Sequence, residues 1–424
     1  MKRALIITYY WPPSGGSGVQ RWLKFVKYLP ELDWMPTVIT TENGDYPAID
    51  ESLLSDVPKE IEVIRTKTPT FGKLFKKIIG KNVPYGSLET EKDDSLLRKI
   101  SIWMRLNFVI PDARKIWNKH AFQAASKELL TNKYDVLITT GPPHSTHLVG
   151  LKLKKKFKIK WLTDFRDPWT KMGYLKNVKR WKTATFIDTI LERKVIRNCD
   201  AAIAASKKIM EDFNNISKIH LITNGYDHED FERTKINEKQ EFFSMNYFGT
   251  IPPESSPVPI LKAVNLLFEN GIKKINLNFY GNVNDIVEKE LKEIDENNLI
   301  TFHPYIPHNE MLNLLVNSSI LVLIINKVKN NKGILTGKIF EYIGSGVPVL
   351  GIGPEDGEAA QILKETESGK MFYYDQIEKI TEFIEEKFND WENRKKRIIN
   401  KKVENYSRIN LTRKLAEILK NITS

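Results

Sequence analysis

The segment at residues 333–350 constrains the fold of this chain more than any other stretch. It follows a short apolar run at 320–325, whose length suits a buried strand or a helix fragment. A turn and apolar residues at helical spacing come next, Gly344 and Gly346 can end the helix, and residues 347–350 resemble a second buried strand. The segment therefore predicts a strand–turn–helix–strand unit of an α/β fold.

The start of this helix has the features of a phosphate site. Thr336, Gly337 and Lys338 lie just beyond the carboxyl end of a strand, where free backbone N–H groups attract anions. Lys338 adds a cation, and Glu341, one turn later, could accept hydrogen bonds from a pair of sugar hydroxyls. A phosphate site beside a carboxylate suits a nucleotide. The alternative is an ordinary core segment with a solvated lysine and glutamate.

Composition limits the class of protein. A chain of 424 residues suggests two or three domains with ample core. The single cysteine, Cys199, allows no intrachain disulfide and favours a cytoplasmic location. There is no apolar run of the length, about 18 residues, that a membrane span needs. The short apolar start of the chain is interpreted as a first strand rather than a signal peptide.

The charge is unevenly distributed. The net charge is +12, but residues 1–224 contain 39 Lys and Arg against 23 Asp and Glu, and the remainder contains 26 against 30. A basic first half suggests that one domain faces a polyanion or an anionic lipid surface. Residues 71–81 combine an apolar helical face with lysines and no acid, as helices at a membrane interface do. Residues 100–106 could extend such a surface, although a core-packed surface helix is the alternative.

The chain begins with a strand at 4–8, a glycine-rich loop at 12–18 and an apolar helix. This order predicts the opening of a doubly wound sheet. Gly15 and Gly16 could let the backbone approach a ligand, or they could simply permit a tight turn. The loop is not G-x-G-x-x-G, so a dinucleotide cofactor is not indicated.

Two histidines follow a buried strand at 134–140. His144 and His147 lie near its carboxyl end and near a helix start, a position that suits ligand contact or proton transfer. Capping or packing is the alternative. A metal is not predicted, because no third ligand has a characteristic spacing.

A charged cluster follows the next strand, at 160–163. Asp164 and Asp167 flank Arg166. Such charges are too costly to bury unpaired, so they pair with one another or serve a polar substrate.

A second domain repeats the strand–loop–helix order from residue 244. We place an N-terminal domain at 1–224, a linker at 225–243 and a C-terminal domain at 244–400. The last helix, at about 405–424, is expected to pack back on the first domain.

With these elements in place, the chain resembles bacterial retaining glycosyltransferases of family 4, which have the GT-B fold. The resemblance extends over nearly the whole chain, and the segment at 333–350 is its most specific part. The other segments that contribute are Gly15-Gly16, 224–227, 247–249, 280–281 and 304–308.

The resemblance implies two doubly wound Rossmann-like domains facing each other across a cleft. A nucleotide-diphosphate sugar would lie on the C-terminal domain, with Glu341 on the ribose and the backbone at 334–338 on the diphosphate. Gly249 and Thr250 would belong to this donor site, and Gly15 and Gly16 would approach the donor phosphate from the other domain.

The implied reaction is transfer of a hexosyl unit, with retention, to an acceptor hydroxyl, and it needs no metal or cofactor. The implied acceptor is a lipid-linked glycan of cell-surface polysaccharide or glycoconjugate synthesis. It would meet Asp164, Arg166, Asp167, His144 and His147. The expected partners are a nucleotide sugar, this acceptor and an anionic membrane, with no nucleic acid. The expected location is cytoplasmic, peripheral to the inner face of the cell membrane.

Two departures from the family pattern leave alternatives open. Gly333 stands eight positions before Glu341, where the family has a glutamate that contacts the donor sugar. Residues 249–253 lack the usual Arg and Lys, whose charge Lys338 could supply. The alternatives are a sugar-nucleotide epimerase of the same fold and a non-catalytic sugar-nucleotide-binding subunit. A nucleic-acid binder is suggested only by the basic half, without a recognised motif.

Overall fold

The structure is a computed structural model that describes residues 1–46, 48–68, 96–172, 180–213, 216, 218–236 and 240–424. The described chain divides into two compact units, residues 1–223 with 411–424, and residues 224–410. Each unit is built around its own parallel sheet.

The first unit contains a seven-stranded sheet in the order β3-β2-β1-β4-β5-β6-β7, with every neighbouring pair parallel. Its strands are β1 (Lys2–Ile7), β2 (Trp34–Thr41), β3 (Glu62–Thr66), β4 (Val136–Gly141), β5 (Lys160–Phe165), β6 (Ala201–Ala204) and β7 (Ile219–Leu221). Its helices are α1 (Ser17–Tyr28), α2 (Leu96–Phe108), α3 (Asn118–Thr131), α4 (Thr146–Phe157), α5 (Lys182–Asn198) and α6 (Lys207–Asp212).

Both faces of this sheet are covered by apolar side chains. Along β1, Leu5 and Ile7 point into one core cluster, and Ala4 and Ile6 point into another. This alternation follows from the two-residue repeat of a strand. It explains why the strands of a sheet covered on both faces appear in the sequence as continuous apolar runs.

The second unit contains a six-stranded parallel sheet in the order β10-β9-β8-β11-β12-β13. Its strands are β8 (Phe243–Phe248), β9 (Ile275–Tyr280), β10 (Ile300–His303), β11 (Ile320–Ile324), β12 (Val349–Ile352) and β13 (Gly369–Phe372). Its helices are α7 (His228–Glu232), α8 (Val258–Glu269), α9 (Asp285–Ile294), α10 (His308–Val316), α11 (Lys338–Ser345), α12 (Glu358–Thr366) and α13 (Ile377–Glu392).

The last helix, α14 (Arg408–Thr423), carries the chain back into the first unit. Leu411, Leu415 and Leu419 are fully or almost fully buried in the first unit's core. Their spacing of four residues places them on one face of the helix.

The segment predicted to be a linker, 225–243, belongs to the second unit in the structure. The boundary between the units falls after Thr223, and Tyr226 is buried in the core of the second unit. Its charged composition suggested a linker, but Tyr226 and Phe231 anchor its start in that core and Phe243 at its end begins β8. Helices α3 and α5 and strand β13 were also not anticipated.

The predicted α/β class, with two doubly wound parallel sheets, is confirmed. The predicted interfacial helix at 71–81 lies outside the described residues. Within the described part of the chain, no helix is both long and apolar enough to cross a membrane.

Candidate functional site

The second sheet has a topological switch point at β8. From β8 the chain proceeds to β9 on one side, and it later returns to β11 on the other side. Loops that leave the carboxyl ends of such strands diverge, and the crevice between them is the usual ligand site of open α/β sheets. Gly249 and Thr250 follow β8, and Thr336 and Gly337 lie between β11 and α11, whose first residue is Lys338. The predicted donor residues of the C-terminal domain are therefore on the two loops that flank this switch point.

Lys338 is a partly buried cation at this switch point. Its Nζ atom donates a hydrogen bond of 2.8 Å to Tyr247 Oη and lies 4.1 Å from the centroid of the Tyr247 ring. Burial lowers the pKa of Lys338 to about 8, and the carboxylate of Glu341 partly opposes this shift. No ion pair to Lys338 is found among the described residues. A buried cation without a close carboxylate is well suited to receive an anion.

Glycine at position 249 is required by this arrangement. Gly249 has a φ of +119°, and a Cβ atom there would lie 2.7 Å from Lys338 Nζ. The neighbouring Gly281, at the end of β9, has a φ of +126°, and its Cβ would lie 2.7 Å from Gly249 O. Glycine therefore lets the lysine and two strand ends come together where any side chain would collide.

The start of α11 adds polar groups to the same place. The first turn of a helix leaves backbone N–H groups without partners inside the helix. Gly337 precedes the helix, and no side chain caps it. The hydroxyl of Thr336 is buried and has no hydrogen-bond partner among the described residues. This combination of N–H groups, a hydroxyl and a cation has the chemistry of a phosphate site.

Glu341 lies one turn further along α11 and is held by His308. The two side chains join through His308 Nε2 and Glu341 Oε1 at 2.9 Å, and they remain 22% and 19% exposed. His308 is the first residue of α10. One carboxylate oxygen is thus engaged, which orients Glu341 while leaving it accessible to a ligand hydroxyl.

In the first unit, Asp164 forms a buried ion pair with Arg21 rather than with its sequence neighbour Arg166. Both Asp164 and Arg21 are fully buried, with Arg21 Nη2 3.0 Å from Asp164 Oδ1. Trp22 Nε1 and Thr140 Oγ1 also donate to the carboxylate, at 2.6 and 2.9 Å. The carboxylate therefore has no surface exposed to a substrate, and the predicted pairing within the cluster holds for Arg166 and Asp167 but not for Asp164.

Arg166 and Asp167 remain closer to solvent. Their side chains approach within 3.7 Å and are 15% and 45% exposed. Arg166 Nη1 donates to Gly18 O at 2.7 Å, and a Cβ at Gly18 would collide with the guanidinium. The glycine at position 18 therefore lets Arg166 rest on the first turn of α1.

The two histidines form a buried layer with aromatic rings. The ring of His144 stacks on Trp169 at 5.1 Å, and His147 Nδ1 lies 2.9 Å from Thr139 Oγ1. Burial lowers the pKa of His147 to about 3, and it also lowers the pKa of His144 well below its usual value. Both rings are therefore neutral near pH 7. They are suited to hydrogen bonding rather than to supplying a positive charge.

These histidines also have unused nitrogens. His144 Nδ1 and His147 Nε2 are buried and have no hydrogen-bond partner among the described residues. Both atoms lie within 3 Å of where a Cβ of Gly141 would be. The structure thus brings the pair together, as their spacing of three suggests.

Gly15 and Gly16 belong to the first unit. Gly15 N–H donates to Ala48 O at 2.9 Å, which ties the loop to the segment after β2. Gly16 has a φ of +97°, and the space where its Cβ would lie is open. Their predicted contact with the donor phosphate stays a prediction.

Within the described ranges, no three His, Cys, Asp or Glu side chains come close enough together to hold a metal ion.

Comparison with known proteins identifies the fold. No protein-family model matches the sequence, and no curated protein is significantly similar to it. Among solved structures, HepE of Anabaena in complex with UDP aligns with 99% of this chain and 100% of its own, with a TM-score of 0.61 and 13% identity. A glycosyltransferase of Rickettsia africae aligns over 99% and 98%, with a TM-score of 0.60 and 14% identity.

The chain has the GT-B fold. A third GT-B neighbour is a Listeria monocytogenes protein provisionally named UDP-N-acetylglucosamine 2-epimerase. It aligns with 99% of this chain and 96% of its own, with a TM-score of 0.56 and 12% identity. At such identities the similarity establishes the GT-B architecture, and the activity must be argued from the site.

Sequence reasoning missed several residues that organise these sites. Arg21 could have been noticed as a cation within the apolar face of α1, beside Trp22. Tyr247 and His308 lie in segments that carried the family resemblance, but no local pattern links either one to α11. Their contacts depend on loops brought together by the sheet.

Replacing Arg21 with Met should destabilise the first unit by about 3–5 kcal/mol, because it leaves the Asp164 carboxylate buried and unpaired. Urea unfolding followed by tryptophan fluorescence measures this loss. The double variant Arg21→Met/Asp164→Asn should recover part of it. Lys152→Met, at an exposed site in the same unit, is the control and should change stability by less than about 0.5 kcal/mol. Equal stability of Arg21→Met and the control would contradict the role of the ion pair.

Proposed function

We propose that this chain is a glycosyltransferase that moves a hexosyl unit from a nucleoside diphosphate sugar to an acceptor hydroxyl, with retention at the anomeric carbon. The observation that carries the proposal is Lys338, a partly buried cation with a lowered pKa at the start of α11. It lies at the switch point of a GT-B sheet, with a carboxylate one helical turn away. The diphosphate and the ribose of a nucleotide are separated by a distance similar to one helical turn.

In this proposal the second unit holds the donor. Lys338, the hydroxyl of Thr336 and the backbone N–H groups of Gly337 and Lys338 bind the diphosphate and stabilise its charge as it leaves. Glu341, oriented by His308, accepts hydrogen bonds from the ribose hydroxyls. Gly249 and Thr250 shape the adjoining loop. The structural neighbour HepE was solved with UDP and with UDP-glucose, which supports a nucleotide sugar as the ligand class.

The first unit holds the acceptor in this proposal, which we take to be a lipid-linked glycan. Arg166 and Asp167 are accessible polar groups after β5. His144 and His147 are 6% and 0% exposed, so we assign their neutral rings to holding the loop after β4 in place for the acceptor. Asp164 has no exposed surface, so we assign it the role of positioning this segment through Arg21. The lone buried thiol of Cys199 is compatible with a reducing cytoplasm, where we place the reaction.

A sugar-nucleotide epimerase is the second candidate, because one structural neighbour has been given that name. Gly333 in place of a glutamate would also suit a binding subunit without activity. The three functions differ in the products that they form from a nucleotide sugar.

Calorimetric titration with UDP, GDP and ADP should show binding of at least one nucleotide. Lys338→Met should weaken it by about 10- to 100-fold, as expected for loss of one charge-assisted contact. Glu341→Ala should weaken the binding of nucleoside diphosphates but not of pyrophosphate, since Glu341 faces the ribose in this proposal. Lys274→Met and Glu290→Ala, both exposed in the same unit, are controls and should bind like the parent. Unchanged affinity in both site variants would refute the donor site.

Nucleotide binding should take up protons near pH 8.5. The pKa of Lys338 is about 8, so the free amine is partly neutral there, and an adjacent diphosphate raises the pKa and draws in a proton. Below about pH 7 the amine is already charged, and the uptake should disappear. Titrations in buffers of different ionisation enthalpy measure this quantity. Uptake that persists in Lys338→Met would assign the proton to another group.

Incubation with the bound nucleotide sugar and a lipid-linked glycan acceptor should release nucleoside diphosphate and form a product whose anomeric configuration matches the donor. NMR spectroscopy of the product measures that configuration. The reaction should continue in EDTA, because Lys338 and the helix N–H groups supply the positive charge. An inverted product would exclude retention. Conversion of the sugar without acceptor would instead support the epimerase, and an unreacted donor would support the binding subunit.

A further inference from the structure

The first unit exposes an apolar surface on α2 and α5 that its core does not use. We call it the α2–α5 face. The apolar side chains that define it are between 43% and 66% exposed. They are Ile100, Met104, Phe108, Trp181, Phe186 and Ile190. Single exposed apolar residues are ordinary, but a set concentrated on two adjacent helices marks an interaction surface.

The spacing on α2 shows that this exposure is systematic. Ile100, Met104 and Phe108 are separated by four residues each, so they form one stripe along the helix. Ile102 and Leu106 are buried on a different side. A helix that only packed on the core would need a single apolar face. Helix α2 therefore carries an apolar stripe beyond the one used inside the unit.

The ends of the two helices are held together by hydrogen bonds. Arg180 Nε donates to Leu106 O at 2.9 Å, and the backbone N–H of Trp181 donates to Asn107 Oδ1 at 2.7 Å. Arg180 also pairs with Asp188 of α5 at 2.6 Å. The exposed side chains of α2 and α5 thus belong to one continuous surface.

Three aromatic rings occupy the junction of the helices. The centroid of the Trp181 ring lies 5.0 Å from Trp103 and 5.1 Å from Phe108, in edge-to-face geometry. Trp181 and Phe108 remain 45% and 57% exposed. Tryptophan side chains of this kind are enriched at the level of lipid headgroups, where an amphipathic ring contacts both water and acyl chains.

The exposed charges of helices α2 and α5 have one sign. Helix α2 contains no Asp or Glu. On α5, Asp188 is 2% exposed, and Glu192 accepts hydrogen bonds from Thr170. The exposed charged residues of α5 are all cations, and they are Lys182, Arg193, Lys194 and Arg197. The acids are therefore turned inward, and the outward side combines apolar and positive groups.

We propose that the α2–α5 face binds the surface of an anionic lipid membrane. The aromatic and aliphatic side chains would enter the headgroup region, and the cations of α5 would meet lipid phosphates. The single sign of charge favours this partner over a second copy of the chain, since two copies of a basic surface would repel each other. The surface does not depend on the proposed sugar transfer, and it would hold the protein beside an acceptor embedded in lipid.

Sedimentation with vesicles tests the proposal on the full chain. The parent should bind vesicles of phosphatidylcholine containing about one quarter phosphatidylglycerol, and it should bind pure phosphatidylcholine much less. Lys182→Gln/Lys194→Gln should reduce the partition coefficient about 25-fold, at about fivefold for each cation. Phe186→Ser/Ile190→Ser should reduce it more than about tenfold, because apolar groups no longer enter the interface.

Matched controls come from the second unit. Ile286→Ser/Ile398→Ser changes two aliphatic side chains that are 71% and 90% exposed, and Lys274→Gln/Lys289→Gln changes two exposed lysines. Both control pairs should bind vesicles like the parent. All of these sites are exposed, so melting temperatures should be unchanged, and nucleotide titration of the same variants separates this result from the proposed function.

Several outcomes would overturn the proposal. The first is a parent chain that does not bind anionic vesicles, and the second is equal binding by the α2–α5 variants and the parent. A third is a change of oligomeric state in Phe186→Ser/Ile190→Ser, measured by light scattering, with vesicle binding retained. That result would assign the face to a contact between copies of the chain.

Discussion

The buried ion pair of Arg21 and Asp164 is the contact on which the carboxyl edge of the first sheet depends. Arg21 connects α1 to β5 and also donates to the carbonyl oxygens of Ile222 and Thr223, just after β7. Removing two charges from water is expensive, so each partner is stable only while the other remains in place. The pair therefore fixes the strand end from which Arg166 extends, and it couples elements that are far apart in the sequence.

The corresponding feature of the second unit is a cation, Lys338, that lies in the space left by the missing side chain of a glycine. Lys338 fits against Gly249 because that residue has no Cβ, and Tyr247 supplies an acceptor and a ring face instead of a carboxylate. The lysine remains without a close negative partner among the described residues. Both units thus have polar groups at the carboxyl ends of their strands, but in the first the buried charges of Arg21 and Asp164 neutralise each other, whereas in the second Lys338 hydrogen-bonds a tyrosine and not a carboxylate.

The groups proposed to bind the donor could be identified from the sequence more readily than the contacts of Asp164, and the reason is chain separation. Thr336 to Glu341 is a continuous stretch whose helix start and cation can be identified locally. Asp164 and Arg21 are 143 residues apart, and nothing at either position indicates the other. Helix α5 was missed because it carries apolar side chains on more than one face, and strand β13 because it spans only four residues. The anchoring of Tyr226 in the second core was hidden by its polar neighbours.

The sequence alone determined the α/β class, the alternation of strands and helices that is typical of doubly wound sheets, and the positions of glycines and cations at strand ends. These features follow from short-range periodicity and backbone conformation, which each segment carries by itself. Only the tertiary structure decided that Asp164 pairs with Arg21, that His308 holds Glu341, and that α2 exposes an apolar stripe. Those outcomes depend on which surfaces the sheet brings into contact, and local sequence patterns do not contain that information.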